Sequence, residues 1–69
     1  MRQVSGKVFA KILELHGWRL QSIRGSHHVY GKEGRRERIT VPIHGNRDLK
    51  TGLQRSLMKI ADLSDDDLS

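Results

Sequence analysis

The chain has 69 residues, of which 13 are Lys or Arg, eight Asp or Glu, four His and none Cys. Length limits it to a single domain over residues 1–69, and the absence of cysteine excludes disulfides and thiolate metal sites as reinforcement. A domain this small hides only about 60% of the surface its unfolded chain exposes, so a partner that binds the folded form has stability to contribute.

Residues Met1 to Val8 carry Arg2 and Lys7 and contain no apolar run of signal-peptide length. The longest unbroken apolar stretch, Val8-Phe9-Ala10, is far too short to cross a bilayer. The expectation is a soluble, cytoplasmic protein with no membrane association. The formal charge is +5, but Asp62, Asp65, Asp66 and Asp67 crowd into an acidic tail over 62–69. Without that tail, 13 basic residues face four acids, a formal +9 over residues 1–61. Such a field draws polyanions, and nucleic acid is the commonest one in cytoplasm; the plainer reading is that these cations keep a small domain soluble.

Val8, Phe9, Ile12 and Leu13 recur at helical spacing, which predicts a first helix over 5–16. Ser5 is placed to cap it, Gly17 to end it, and Trp18 to pack back on it as core rather than as a base-stacking platform. The period then changes to two. Trp18 and Leu20 alternate with Arg19 and Gln21 in a half-buried strand running to about Ile23. Arg24-Gly25-Ser26 reads as a tight turn. A second strand over 27–31 puts His27 and Val29 on one face, His28 and Tyr30 on the other.

A third strand over 36–41 follows a charged loop and ends at Pro42, which cannot donate to a ladder. A polar loop leads to a second helix through Ala61, capped by Asp48 or Thr51, with Leu53, Leu57, Met58 and Ile60 as its apolar face. Ser64 and Asp67 have capping-box spacing and predict one extra turn. The order α-β-β-β-α implies an α+β fold, a three-stranded antiparallel meander with both helices on one face and the other left open. That is the architecture of the double-stranded-RNA-binding domain.

Four stretches in this order and spacing carry a family resemblance: Leu15-His16-Gly17-Trp18, Gly25 through Tyr30, Thr40-Val41-Pro42-Ile43-His44, and Leu49-Lys50-Thr51-Gly52-Leu53 leading into Arg55-Ser56-Leu57. Together they resemble the HicA toxins, the RNA-cleaving halves of bacterial toxin–antitoxin pairs. The resemblance implies metal-independent cleavage of mRNA in the double-stranded-RNA-binding-like fold, without a cofactor. It also implies silencing by a HicB-type antitoxin, expected to be acidic and to cover the open sheet face. In that family the histidine after the Gly-Ser or Gly-Gly pair is catalytic, which falls on His27. Residues 31–37 are more charged here than the His-Pro-rich loop of many members.

An imidazole, with an ordinary pKa of about 6.5, suits this chemistry because it gives or takes a proton near neutrality. His27 would draw the proton of a ribose 2′-hydroxyl or protonate the departing 5′-oxygen. Gly25 and Ser26 would shape the approach of RNA, and Arg24 would hold phosphate and offset transition-state charge. Arg36, Arg47 and Lys50 are further phosphate binders, as are Arg35, Arg38 and Arg55, although Arg55 with Lys59 also fits a solvated helix face. Arg47 and Lys50 lie at the start of the second helix, where phosphate is already favoured.

His28 reads as a hydrogen-bonded core histidine and His44 as a contact to RNA or antitoxin; both are secondary choices for a direct role. His16 fits the C-terminal end of the first helix. No Cys or helical His pair completes a zinc ligand set. Two other readings remain open: a non-catalytic double-stranded-RNA-binding module of the same fold, and a degenerate toxin kept only as a protein-interaction partner.

Overall fold

A computed structural model of the chain describes residues 2–68; Met1 and Ser69, which end the expected 1–69 domain and close the leader and tail readings, lie outside the described residues. The elements are α1 (Gly6–Leu15), β1 (Arg19–Arg24), β2 (His27–Gly31), β3 (Arg38–Pro42) and α2 (Thr51–Ala61), closed by a 3-10 turn at Asp65–Leu68. The strands pair antiparallel in the order β1-β2-β3. This is the expected α-β-β-β-α arrangement. Phe9 and Leu13 of α1 and Leu57, Met58 and Ala61 of α2 bury with Tyr30, Ile39 and Val41 of the sheet in one core. No helix among the described residues is long and apolar enough to cross a membrane.

Ser5 caps α1 by accepting from the Val8 N–H at 3.1 Å, and the Trp18 N–H returns to the Leu13 carbonyl at 3.0 Å. That return folds the Trp18 indole into the core, where it is 1% exposed. The buried face of α1 is Gly6, Phe9, Ala10 and Leu13, rotated from the predicted stripe. Val8 is thereby left partly exposed and Leu15 is almost wholly in solvent. Gly6 is required by its neighbour: a Cβ there would overlap the Pro42 carbonyl, so the first turn of α1 packs directly on the end of β3.

The expected cap of α2 is corrected. Lys50 occupies the N-cap without a side-chain hydrogen bond, and Thr51 is already helical. Asp48 instead pairs through its backbone with Ser5 in an isolated antiparallel bridge. The buried face of α2 is also rotated, to Gln54, Leu57, Met58 and Ala61, which moves Leu53 toward solvent. Gln54 is fully buried because the N-terminal segment satisfies its amide. Its Oε1 accepts from the Val4 N–H at 3.0 Å and its Nε2 donates to the Arg2 carbonyl at 2.7 Å. A buried amide without such partners costs about 1–3 kcal/mol, so this pair of bonds fixes residues 2–4 on α2.

β1 departs from its predicted half-burial. All six of its residues are exposed, and its register with β2 slips between Leu20 and Ser22. Leu20 and Ile23 do point to the helix side, opposite Tyr30 and His28, but β1 is an edge strand that α1 touches without covering. The end of the chain is better ordered than a solvated tail. The Ser64 N–H donates to the Asp67 carboxylate at 2.7 Å, as the capping-box spacing predicts, and Leu68 buries against the core. That backbone bond holds the Asp67 carboxyl below its ordinary pKa, helped by the Ser64 hydroxyl and by His16, 3.6 Å away.

Candidate active site

The β1–β2 hairpin turns on two residues, Gly25 and Ser26, between the paired Arg24 and His27. Gly25 has φ +57 while Ser26 stays at negative φ, the order that lets a two-residue turn follow the twist of its strands. The first rung therefore sets Arg24 directly across from His27, with Cβ atoms about 5 Å apart. On the other side His27 pairs with Pro42 of β3.

Strand alternation decides which way each ring faces. His28 and Tyr30 pair with Val41 and Ile39, both fully buried beneath the helices. His27, with Arg24 and Pro42 as its cross-strand neighbours, consequently faces the uncovered side of the sheet. The His27 ring is exposed and makes no hydrogen bond or ion pair with a described residue. It has a free approach and no protein group to satisfy. His28 is half-buried on the helix side, as predicted, but the hydrogen bond expected for it is absent among the described residues.

His44 joins the turn. The Ile43 N–H donates to the Ser26 carbonyl at 2.8 Å, extending the β2–β3 ladder one rung past Pro42. The His44 Nε2 then lies 3.3 Å from the Ser26 Oγ. Arg47 and Lys50 border the same end of the sheet, lining a cleft with His44 between the end of β3 and the start of α2. Both are exposed and, like Arg24, form no ion pair with a described residue. The fold thus gathers Arg24, Gly25, Ser26, His27, His44, Arg47 and Lys50 at one end.

Arg36 does not belong to this group. The register runs from His27↔Pro42 to Gly31↔Arg38, so Arg36 lies beyond the opposite end of the sheet, more than roughly 13 Å along the strands. Its neighbours there are structural. Arg35 donates to the Ile60 carbonyl at 2.7 Å, pairs with Glu37 at 3.0 Å and with Asp62 at 3.1 Å, and stacks 5.5 Å from the Trp18 ring centre. Arg38 turns back on the carbonyls of residues 35, 36 and 37. All three Arg35 nitrogens are engaged, whereas Arg38 engages only its Nη1 and stays exposed. His16 caps α1 and meets Asp67.

Sequence reasoning missed the His44–Ser26 contact and the cleft beside it. The signal was partial: Ile39, Val41 and Ile43 keep a period of two that runs past Pro42, where the strand was expected to end. Among the described residues, no group of three or more His, Cys, Asp or Glu side chains converges as a metal site would require. An exposed imidazole beside an arginine suits proton transfer on a phosphodiester, and the surrounding cations suit a polyanion.

No curated protein matched the chain. A family profile described as the HicA toxin of bacterial toxin–antitoxin matches residues 6–63 of the 69, from the first turn of α1 to just past α2. The chain therefore belongs to the HicA toxin family of bacterial toxin–antitoxin systems.

Proposed function

We propose that this toxin is a one-domain cytoplasmic endoribonuclease that cuts mRNA without a metal ion or other cofactor and is held silent by a HicB-type antitoxin. His27 is the proton-transfer group. In the reaction the ribose 2′-oxygen attacks the adjacent phosphorus and the P–O5′ bond breaks. His27 takes the 2′-hydroxyl proton or delivers one to the leaving 5′-oxygen, and water serves the other transfer. Arg24, one rung across, offsets charge on the phosphate as it accumulates. With one histidine and no carboxylate orienting it, catalysis is modest, which is enough for a protein that acts by depleting messages.

The observation that carries this reading is the His27 ring itself: exposed on the uncovered sheet face, unpartnered among the described residues, and paired across the strand with a free arginine. Induced expression in a bacterial host tests it. Wild-type chain is expected to arrest growth, His27→Ala to be tolerated, and co-expressed HicB-type antitoxin to restore growth to the wild-type culture. Equal arrest by both forms would remove His27 from the mechanism.

The rival reading, a non-catalytic binder of double-stranded RNA, draws on the same fold. Purified chain that binds RNA in a chelator and never cuts it would favour that module.

A further inference from the structure

The cleft beside His44 has a volume of about 260 Å3, near the lower bound of about 300 Å3 for small-ligand pockets. Its apolar walls are Pro42, Leu49 and Leu53. Leu49 is buried, while Leu53 is 37% exposed, turned outward by the rotation of α2. His44, Arg47 and Lys50 supply the polar rim, with Asp48 as the one acid. Lys50 is the N-cap of α2 and makes no capping bond, so the first N–H groups of that helix have no side-chain acceptor.

We propose that this cleft is a nucleotide subsite, holding one unpaired base of the RNA strand next to the phosphate presented to His27, and so selecting single-stranded RNA. The inference rests on the ribonuclease reading of His27 and adds to it a substrate class and a second point of attachment. Position is the first argument. Pro42 is the cross-strand partner of His27, so their backbones lie about 5 Å apart where the apolar wall begins, and His44 contacts Ser26, the residue before His27. A strand with its phosphate at His27 and Arg24 would reach this wall with its neighbouring nucleotide by turning round the end of β3.

Chemistry is the second argument. A nucleobase presents a flat apolar face and a polar edge, which match the proline and leucine walls and the His44 rim, while Arg47 and Lys50 meet the phosphate of the same nucleotide. A base can enter only when it is unpaired, because in an A-form duplex its faces are stacked and its edge is engaged. Size is the third. The cleft admits a single ring system, which matches one base, whereas a protein partner would have to cover roughly 800 Å2 and extend well beyond it.

The test measures the affinity of the full chain carrying His27→Ala, which prevents scission, for a labelled single-stranded oligoribonucleotide of about eight nucleotides and for its duplex. Single strand is expected to bind more tightly than duplex. Adding Leu53→Glu or Lys50→Glu should weaken single-strand binding about tenfold, and Lys50→Glu should reduce the slope of log K against log salt by about 0.7, the value for one lost phosphate contact. Lys59→Glu makes the same charge change at the far end of α2 and should weaken binding by no more than about threefold, the share due to the general field. Lys50 is exposed and has no structural bond, so its variant keeps the test decisive if Leu53→Glu fails to fold.

Tighter binding of duplex, or equal losses from Lys50→Glu and Lys59→Glu, would overturn the subsite. Variants that keep RNA affinity but lose affinity for a HicB-type antitoxin would reassign the cleft as a protein contact. Cleavage by the His27→Ala chain at the wild-type rate would refute the ribonuclease role of His27 while the cleft measurements still stood. His27-dependent cleavage with an inert cleft would refute the subsite alone.

Discussion

Arg35 and Arg24, at opposite ends of the sheet, are held in opposite ways, while Arg19 and Arg36 at the loop end are exposed and form no ion pair with a described residue. At the β2–β3 loop end, Arg35 is held by the Ile60 carbonyl, Glu37, Asp62 and the Trp18 ring, and the Nη1 of Arg38 is shared among three loop carbonyls. At the hairpin end, Arg24, Arg47 and Lys50 have no ion-pair partner among the described residues, and the His27 ring has none either. Identical side-chain chemistry therefore serves cohesion at Arg35 and is left unpaired at Arg24. What separates the two roles is the presence of acceptors, not the number of cations. A count of basic residues cannot tell them apart, since a paired and an unpaired arginine count alike.

Substitutions that break this contrast should separate activity from stability. The largest effect is expected from His27→Ala, which should lower the RNA cleavage rate about 10²–10⁴-fold with an unchanged melting temperature, since the ring holds nothing in the fold. Gly6→Ala should do the reverse. Its Cβ would enter the Pro42 carbonyl and force α1 from β3, costing about 1–3 kcal/mol in a denaturant titration.

A smaller effect follows at the loop end. Arg35→Ala removes the bond to the Ile60 carbonyl and uncovers the Trp18 ring, and should cost about 1–2 kcal/mol while leaving RNA affinity within about twofold. Arg24→Ala should give the mirror image, a binding loss and a smaller salt slope without a stability change.

The smallest effect concerns the tail. Folding lowers the Asp67 pKa below its ordinary 3.8, chiefly through the Ser64 backbone N–H. Its stabilising contribution is therefore complete above that ordinary value and is lost as pH falls through the lower folded-state value. Hydrogen exchange at the Ser64 amide should accelerate in that acidic window, and Asp67→Asn should abolish the pH dependence.

Much of this fold was legible in the chain because its signals were local. Ser5 three residues before Val8, the Gly25-Ser26 turn, and the Ser64–Asp67 spacing each bond within their own segment, so sequence separation alone identifies them. The failures were non-local. Gln54 looks like a solvent residue until residues 2–4 arrive to satisfy its amide, and Asp48 looks like a cap until Ser5 pairs with its backbone. Leu20 and Ile23 alternate as a half-buried strand should, yet they lie outside the helices' cover at a sheet edge. The pairing of Arg24 with His27 was legible because one tight turn joins them, while the choice of His27 as the working group came from the family resemblance; the contacts of Arg35 depend on α2, 25 residues away.

Cleavage of a defined single-stranded RNA by the purified chain in excess chelator, compared between wild type and His27→Ala with matched melting curves, bears most directly on the central claim. The account predicts metal-independent cutting by the wild type and about a hundredfold or greater loss in the variant. Equal cutting by the two proteins, or cutting by the wild type that stops when divalent ions are chelated, would contradict it.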